Sequence, residues 1–550
     1  MANMVIKHKT PDEIWQSRLL EQTDLRKFSA LLSSLVTHVE SELNHTIELN
    51  NAMHLFPQES LIQFLLNDLA DQLGFMLSRV CVFEMQGAKT QGVLKGECSK
   101  SRFDYFMNIL CEESNSQAIL QKYPGLKKNI DDLIKQTLRT TKQLIVRLTN
   151  DIKEIKETFF KSKIDLTLDS ITVASNRYYS GERVMVLHFA NPQKEIVKLL
   201  YKPRTLKIDI AFQKFFNWFN EKYGTDFYIM NILDKEQYGW CEFITHTTCT
   251  KEEEFNSYYR RLGEILGVTY LLNGLDFHHP NIIAHGIYPV IVDYEYYFSP
   301  FWKRLNSDYT DIRPIVSNNL VSNLKAIIRP DYAGMDLAAM SVKNNLFAPL
   351  KKIDWERPYT DEMAFIRTEI YGWGNQHIPT EYPKSFNLGQ YLEHFTVGFK
   401  HIYEIILVNH DIIEKKLDLF KNCHSRVLIR ETIDYSKLLM ESFNPRLLFH
   451  SLELAAHFDN LMKDNINIDL GPVFESEKRD LYEGNIPVFS GLSDDNEIYD
   501  SRGHKMNIAV EKIGIESVKE ILQQVISKED LKLQLKMIES NFIAFWTDSA

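Results

Sequence analysis

The first 150 residues carry apolar side chains at helical spacing. Between Pro11 and about Asn150, apolar residues recur at steps of three and four positions, as in Leu61 and Leu65, and proline is sparse. This spacing lines up apolar side chains on one face of an α-helix. The sequence therefore predicts an all-helical region over residues 1–150.

The apolar spacing changes to short β-type runs over residues 151–250. Runs rich in β-branched residues, separated by turn signals such as Asn191-Pro192, indicate strands, and a stripe of phenylalanines indicates one helix. The predicted strands are Ile171–Val173, Val184–Phe189, Ile196–Tyr201, Phe227–Ile232 and Trp240–Ile244, and the helix carries Phe212, Phe215, Phe216 and Phe219. We expect the first three strands to pair antiparallel in a small β lobe.

Helical spacing returns over residues 251–550. A helix predicted at Glu253–Leu272 has Gly274 well placed to end it. Further helical patterns lie at Tyr391–Asn409, Pro445–Asp464 and Leu531–Phe545, with the polar stretch Glu483–His504 between the last two. The chain is therefore predicted to be an α+β protein with a small antiparallel β lobe, a large helical lobe and an N-terminal helical region.

Composition and charge narrow the class of protein. Apolar residues make up 44% of the 550 and charged residues 25%, which is typical of a globular protein with more than one structural unit. The formal charge of -11 gives no basic surface for nucleic acid. Residues Met1–Trp15 do not resemble a secretory signal, no apolar run has membrane length, and the six cysteines lack zinc-ligand spacing. We therefore expect a cytoplasmic protein with no membrane span, no nucleic-acid partner and no structural zinc.

The segment 274–297 concentrates the candidate chemistry. Asp276 and Asn281 form an Asp-x-x-x-x-Asn step after a helix end, and Asp293 and Glu295 follow a short β run. In protein kinases an Asp at the first position orients or deprotonates the acceptor hydroxyl, while the Asn and a later Asp bind Mg²⁺. The spacing thus predicts Asp276 as the base and the other three as magnesium ligands, because Mg²⁺ prefers hard oxygen donors.

A cation for the phosphates of ATP is expected upstream of this segment. Lys202 stands near the end of the apolar strand Ile196–Tyr201, where an ammonium is costly unless it meets an anion. We assign Lys202, with Arg204 as a helper, to the ATP phosphates. The sequence has no Walker A motif, which argues against the P-loop class.

Two other interpretations of these residues stay open, a phosphohydrolase and a non-catalytic binding protein. Asp276, His278, His279 and Asp293 would also suit a two-metal phosphohydrolase, although in the kinase reading His278 is a hydrogen-bonding neighbour that can stabilise transition-state charge. A hydrolase has little use for a strand lysine such as Lys202. A non-catalytic protein that binds a partner through its helical regions is the third reading.

The order of five motifs resembles the dehydratase domain of class II (LanM-type) lanthipeptide synthetases. The motifs are Leu200-Tyr-Lys-Pro-Arg204, Tyr238-Gly-Trp-Cys-Glu-Phe243, Asp276-x-His-x-x-Asn281, Tyr288-Pro-Val-Ile-Val-Asp-x-Glu295 and Asn485-Ile-Pro-x-Phe489. The resemblance implies a lipid-kinase-like fold with an activation-type segment at 474–505, and an enzyme that uses ATP and Mg²⁺ to phosphorylate Ser and Thr of a precursor peptide and then eliminates phosphate.

The resemblance also assigns the site residues. It implies Lys202 as the phosphate-binding lysine, Asp276 as the base, His278 as its neighbour, and three metal ligands. Those ligands are Asn281, Asp293 and Glu295.

The chain departs from this family where phosphate elimination is expected. The family's Asp-x-His pair is replaced by Asn176 and Tyr178, and Glu483-Gly484 stands where an arginine is usual, while Ser490 supplies a hydroxyl. Without an imidazole and a guanidinium, elimination lacks its acid-base partner and its charge stabiliser. We therefore predict phosphorylation of a peptide or protein acceptor, with full dehydration as the alternative. The sequence offers no cysteine and histidine set for the family's zinc-dependent cyclase, so we expect either a stand-alone enzyme or an isolated domain, with ring closure by another protein.

Overall fold

The computed structural model describes most of the chain outside the first 24 residues and a long central segment. The described residues are 25–50, 55, 60–160, 166–178, 181–274, 277, 281–298, 350–370, 376–380, 387–430, 432–459, 471–508 and 514–547.

The N-terminal region is helical, as its apolar spacing predicts. Its longest helix is strongly amphipathic, with buried residues such as Leu133, Leu144 and Leu148 along one face. The helices of this region are α1 (Arg26–Ser29), α2 (Ser33–Leu49), α3 (Ser60–Thr90), α4 (Ser99–Leu110), α5 (Glu113–Lys122) and α6 (Pro124–Phe159). They pack around a shared apolar core.

A five-stranded antiparallel sheet follows, in the order β1-β2-β3-β5-β4. Its elements are β1 (Thr167–Val173), β2 (Met185–Ala190), β3 (Ile196–Lys202), α7 (Lys207–Tyr223), β4 (Ile232–Asp234) and β5 (Gly239–Glu242). The pairing of β1 with β2 and of β2 with β3 confirms the predicted antiparallel strands. The prediction of a strand at Phe227–Ile232 is wrong, because the paired residues begin only at Ile232, where the chain meets β5.

One face of the sheet belongs to the same core as the N-terminal helices. Leu187, Leu199 and Trp240 are fully buried within that core. The N-terminal helices and the β lobe are therefore packed as one body, although composition and periodicity change near residue 150.

The helix after the sheet ends in a Schellman motif. Helix α8 (Glu252–Leu271) is followed by Asn273 in the left-handed conformation, and the amide of Gly274 donates to the carbonyl of Thr269 at 2.9 Å. The prediction that Gly274 ends the helix is thus one residue late. Close packing explains a glycine here, since an added Cβ at Gly274 would lie 2.5 Å from the Phe277 ring.

Two hairpins and a helical lobe follow α8. The elements are β6 (Ile282–His285), β7 (Tyr288–Ile291), β8 (Leu350–Glu356), β9 (Ala364–Ile370), α9 (Leu392–Val408), α10 (His410–Lys416), β10 (His424–Val427), α11 (Thr432–Ser442), α12 (Pro445–Phe449), α13 (Ser451–Phe458), α14 (Gly471–Tyr482), β11 (Phe489–Leu492), β12 (Ile498–Tyr499), β13 (Lys505–Met506), α15 (Gly514–Glu520) and α16 (Lys528–Thr547). The single helix predicted from Pro445 is two helices that meet at His450.

The polar stretch Glu483–His504 contains strands that its composition does not predict. Strands β10 to β13 form a four-stranded antiparallel sheet in sequence order. β10 pairs with β11 across more than sixty intervening residues, and it pairs residue by residue from His424 with Leu492 to Val427 with Phe489. The large lobe is therefore mixed rather than purely helical, and the α+β class holds for the chain.

Helices α8 and α9 cross so closely that each presents a glycine to the other. A methyl group added at Gly398 would lie 1.9 Å from the carbonyl oxygen of Arg260, and one at Gly263 would lie 2.0 Å from that of Phe395. We expect Gly398→Ala to lower the free energy of unfolding by about 1–3 kcal/mol, because the helices must move apart. Urea unfolding followed by circular dichroism measures this loss.

The neighbouring Val397 provides the matched control for that experiment, since it is 52% exposed on the same helix. We expect Val397→Ala to change stability by less than about 0.5 kcal/mol. Equal stability of the two variants would contradict the close crossing.

Among the described residues, no helix is long and apolar enough to cross a lipid bilayer.

Candidate active site

Strand β3 delivers Lys202 to the side of the sheet that faces away from the N-terminal helices. Leu199 and Tyr201 are buried in the core that the sheet shares with those helices. Because side chains alternate along a strand, Lys202 points to the opposite face, which is covered by α7 and by the exit of the β6–β7 hairpin. Its side chain is only 7% exposed.

Lys202 is held by groups from both of these elements. Its Nζ donates to the carbonyl of Val292 at 2.8 Å and lies 3.4 Å from Oδ1 of Asp209 and 4.0 Å from Oδ1 of Asp293. The structure therefore brings together the strand lysine and the acidic segment, two features that the sequence separates by 90 residues.

Arg204 lies at the centre of a charged cluster that also contains Lys202, Asp209, Asp293 and Glu295. It contacts all three carboxylates of this cluster. Its Nη1 donates to Oδ2 of Asp209 at 2.6 Å, its Nη2 to Oδ1 of Asp293 at 3.3 Å, and its Nε to Oε1 of Glu295 at 3.0 Å. The planar guanidinium suits this arrangement, because its five donors point outward in a fixed fork. Arg204 thus binds protein carboxylates in this structure, whereas the sequence assigns it to phosphates.

The β6–β7 hairpin positions the predicted metal ligands. Asn281 precedes β6, and its carbonyl accepts from the amide of Val292 at 3.0 Å, so Asn281 and Asp293 lie on adjoining ends of the paired strands. Glu295 does not lie on an extended strand, as the sequence led us to expect, because β7 ends at Ile291 and the chain turns. That turn carries Glu295 to Arg204 all the same.

The predicted base and its neighbour, Asp276 and His278, lie outside the described residues, as does His279. Phe277 between them is 1% exposed, with its ring centroid 5.0 Å from that of Tyr297. Tyr294, Tyr297 and Phe298 are likewise buried after the hairpin. Phe277 and the aromatic residues after the hairpin therefore belong to one apolar core.

Two residues of the cluster, Asp209 and Arg426, were not predicted from the sequence. Asp209 is fully buried in the first turn of α7, three and seven positions before Phe212 and Phe216. An acid on the buried stripe of a predicted helix is a signal that could have been noticed, since buried carboxylates need partners.

Arg426 of β10 is the second residue, and it has no comparable local signal. Its backbone amide donates to the carbonyl of Glu295 at 2.7 Å, and its Nη1 lies 3.4 Å from Oε2 of the same residue. Its guanidinium also lies 5.1 Å from the ring centroid of Tyr178, and its Cα pairs with that of Ser490 across β10 and β11. The structure thus brings a guanidinium to the cluster from a strand 131 residues beyond Glu295.

Burial and charge shift the ionisation of these groups in opposite directions. Burial and the neighbouring Glu295 raise the pKa of Asp293 to about 6, against the attraction of Lys202 and Arg204. Burial acts to raise the pKa of Asp209, but Arg204 and Lys202 outweigh it and hold that pKa below the usual range. Burial alone would lower the pKa of Lys202, yet Asp209 raises it above the ordinary value. The ammonium of Lys202 is therefore charged at neutral pH.

The donor set is compatible with a hard divalent ion. In the part of the chain that the structure describes, no three His, Cys, Asp or Glu side chains already stand as a preformed metal group. Asp293 and Glu295 nevertheless converge on one positive charge, the guanidinium of Arg204. The guanidinium of Arg204 fills the cationic position between these carboxylates, and Asp293, Glu295 and Asn281 are the residues that would hold Mg²⁺ in its place.

The model of one protein family matches residues 123–491 of this chain. That family is described as "Domain of unknown function (DUF4135)". The matched range contains every predicted site residue together with Asp209 and Arg426.

The chain is also similar to the lacticin 481/lactococcin biosynthesis protein LcnDR2 of Lactococcus lactis subsp. lactis. The two are 25% identical over 466 residues, which cover 80% of this chain and 48% of the relative. The chain thus spans about half the length of that protein. The family match and this relative confirm the resemblance that the five motifs indicate.

Proposed function

This chain belongs to the family described as "Domain of unknown function (DUF4135)", and we propose that it is a phosphotransferase of lanthipeptide maturation. It uses ATP and Mg²⁺ to phosphorylate Ser and Thr hydroxyls of a peptide. The relative is named for the biosynthesis of lacticin 481 and lactococcin, which supports a peptide as the acceptor.

The observation that carries the proposal is the contact of Lys202 with two carboxylates of different elements. The lysine ends a strand, Asp209 pairs with it from the following helix, and Asp293 approaches it from the exit of a hairpin. Kinases combine the same parts: a strand lysine, an acidic helix partner and a metal-binding aspartate after a later strand. Here those parts are within 4.0 Å of one ammonium.

Each residue has a role that follows from its charge and position. Mg²⁺-ATP supplies the phosphoryl group and neutralises its charge when bound. Lys202 holds the phosphates, and Asn281, Asp293 and Glu295 hold the metal. The acceptor oxygen forms a bond to the γ-phosphorus as the bond to the bridging oxygen of ADP breaks, and the carboxylate of Asp276 accepts the hydroxyl proton.

The test is mass spectrometry of a class II lanthipeptide precursor after incubation with the protein, ATP and Mg²⁺. We expect the mass of one phosphate to be added at each modified Ser or Thr, and no change when ATP is omitted. Release of inorganic phosphate from phosphopeptides without ATP, with recovery of unmodified Ser or Thr, would instead indicate a phosphohydrolase. A precursor that stays unchanged, although the protein binds Mg²⁺-ATP tightly, would contradict phosphotransfer and favour a non-catalytic role.

The same assay reports on elimination, because loss of one water distinguishes a dehydrated product from a phosphorylated one. Asn176 and Tyr178 remain poor acid-base groups at neutral pH. The guanidinium that is missing before the Asn485-Ile-Pro motif is, however, available from Arg426, opposite Ser490. Dehydrated product would therefore extend the proposal to a complete dehydratase.

A further inference from the structure

Among the residues that the structure describes, the positive and negative side chains of the cluster are equal in number. Three carboxylates, Asp209, Asp293 and Glu295, face three cations, Lys202, Arg204 and Arg426. The side chains of Lys202, Arg204 and Asp209 are at most 10% exposed. A divalent ion added to this arrangement would bring two uncompensated positive charges into a poorly solvated site, which is costly.

Arg204 also uses the carboxylate oxygens that a metal needs. Its guanidinium donates to one oxygen of Asp293 and to one oxygen of Glu295. Its Nη1 also donates to Oδ2 of Asp209. A metal ion between Asp293 and Glu295 would take the place of this guanidinium, so the side chain of Arg204 would have to move. When it moves, Asp209 keeps Lys202 as a partner at 3.4 Å, so the most buried carboxylate is still paired.

We propose that Arg204 is a cationic placeholder for the divalent ion. In the nucleotide-free protein it holds Asp293 and Glu295 together, and it turns from these carboxylates to the triphosphate when metal and nucleotide enter as one complex. Asp293 is the most accessible acid of the cluster, with 31% of its side chain exposed, so the exchange begins there. This inference rests on the proposed function, and it adds that the metal alone is excluded.

The consequence is a coupling between metal and nucleotide. The metal can bind Asp293 and Glu295 only if Arg204 has another anion to pair with. The triphosphate can bind Arg204 only if a cation replaces the guanidinium at these two carboxylates. Each ligand must therefore raise the affinity of the protein for the other by the same factor.

The experiment measures Mn²⁺ binding without nucleotide by the electron paramagnetic resonance signal of free Mn²⁺. We expect Arg204→Gln to bind Mn²⁺ at least about tenfold more tightly than the wild-type chain, a size that is ordinary for coupled sites. For the wild type, a non-hydrolysable ATP analogue should raise the Mn²⁺ affinity by a similar factor, and in Arg204→Gln that increase should be largely lost.

Lys207→Gln is the matched control, because Lys207 is exposed three residues away and its loss changes the net charge equally. We expect its Mn²⁺ affinity to equal that of the wild type. Should Arg204→Gln fold poorly, Arg204→Lys keeps the positive charge but lacks the fork that reaches three carboxylates, and it should also bind Mn²⁺ more tightly than the wild type.

Two negative outcomes have different meanings. Equal Mn²⁺ affinity of the folded Arg204 variants and the wild type overturns the placeholder role, whatever the protein does with ATP. Tight Mn²⁺ binding by Arg204→Gln, together with a wild-type chain that binds no nucleotide, supports the placement of Arg204 at a metal site but removes the phosphotransferase.

Discussion

Lys202→Met is expected to lower the rate of peptide phosphorylation by about 10²–10³-fold, the size of effect seen when one preorganised charge stabiliser is removed. The side chain of Lys202 is 7% exposed, and its ammonium lies 4.0 Å from Oδ1 of Asp293. Methionine retains much of the side-chain volume and removes the charge together with the N–H donors that bind the carbonyl of Val292. Initial rates with a precursor peptide and Mg²⁺-ATP measure the loss.

Lys198→Met is the matched control, since Lys198 lies on the same strand but is exposed. It should keep phosphorylation within about twofold of the wild-type rate, because surface charges far from a site change it little. Thermal unfolding of both variants checks the fold. Full activity of a folded Lys202→Met protein would rule out the phosphate-binding role and, with it, the kinase-like reading of the cluster.

Asp209→Ala is expected to destabilise the protein by about 3–5 kcal/mol, the range observed when one partner of a buried ion pair is removed. Asp209 is fully buried and pairs with both Lys202 and Arg204. Its loss leaves two buried cations with fewer anionic partners. Urea unfolding at pH 7 measures the change, and Glu221→Ala, at an exposed site of the same helix, should cost less than about 0.5 kcal/mol.

The pH dependence gives this prediction a second readout. Because Arg204 and Lys202 hold the folded-state pKa of Asp209 below its usual range, its contribution is present above the unfolded-state pKa and is lost as pH falls through the folded-state value. The stability difference between wild type and Asp209→Ala should therefore shrink below about pH 4. A constant difference from pH 7 to acid would show that lost packing, not lost charge pairing, causes the destabilisation.

Local patterns were sufficient for the parts of the fold whose residues contact their near neighbours. The helices before residue 160, strands β1 to β3 and helix α8 follow from apolar spacing, because one buried face is enough to select the element. Local patterns were insufficient at β4 and at β10 to β13, where short strands form only through pairing with distant partners. Strand preference in such short runs depends on context.

The sequence by itself predicted which groups would bind phosphate and magnesium. Lys202, Asn281, Asp293 and Glu295 stand out because their types and order match the needs of phosphate and magnesium binding. Only the tertiary structure decided which of these groups are paired with one another. Asp209 of α7 and Arg426 of β10 complete the cluster. Arg204 pairs with carboxylates, although the sequence assigned it to phosphate. Charge pairing acts through space over a few Å, so no spacing along the chain can reveal it.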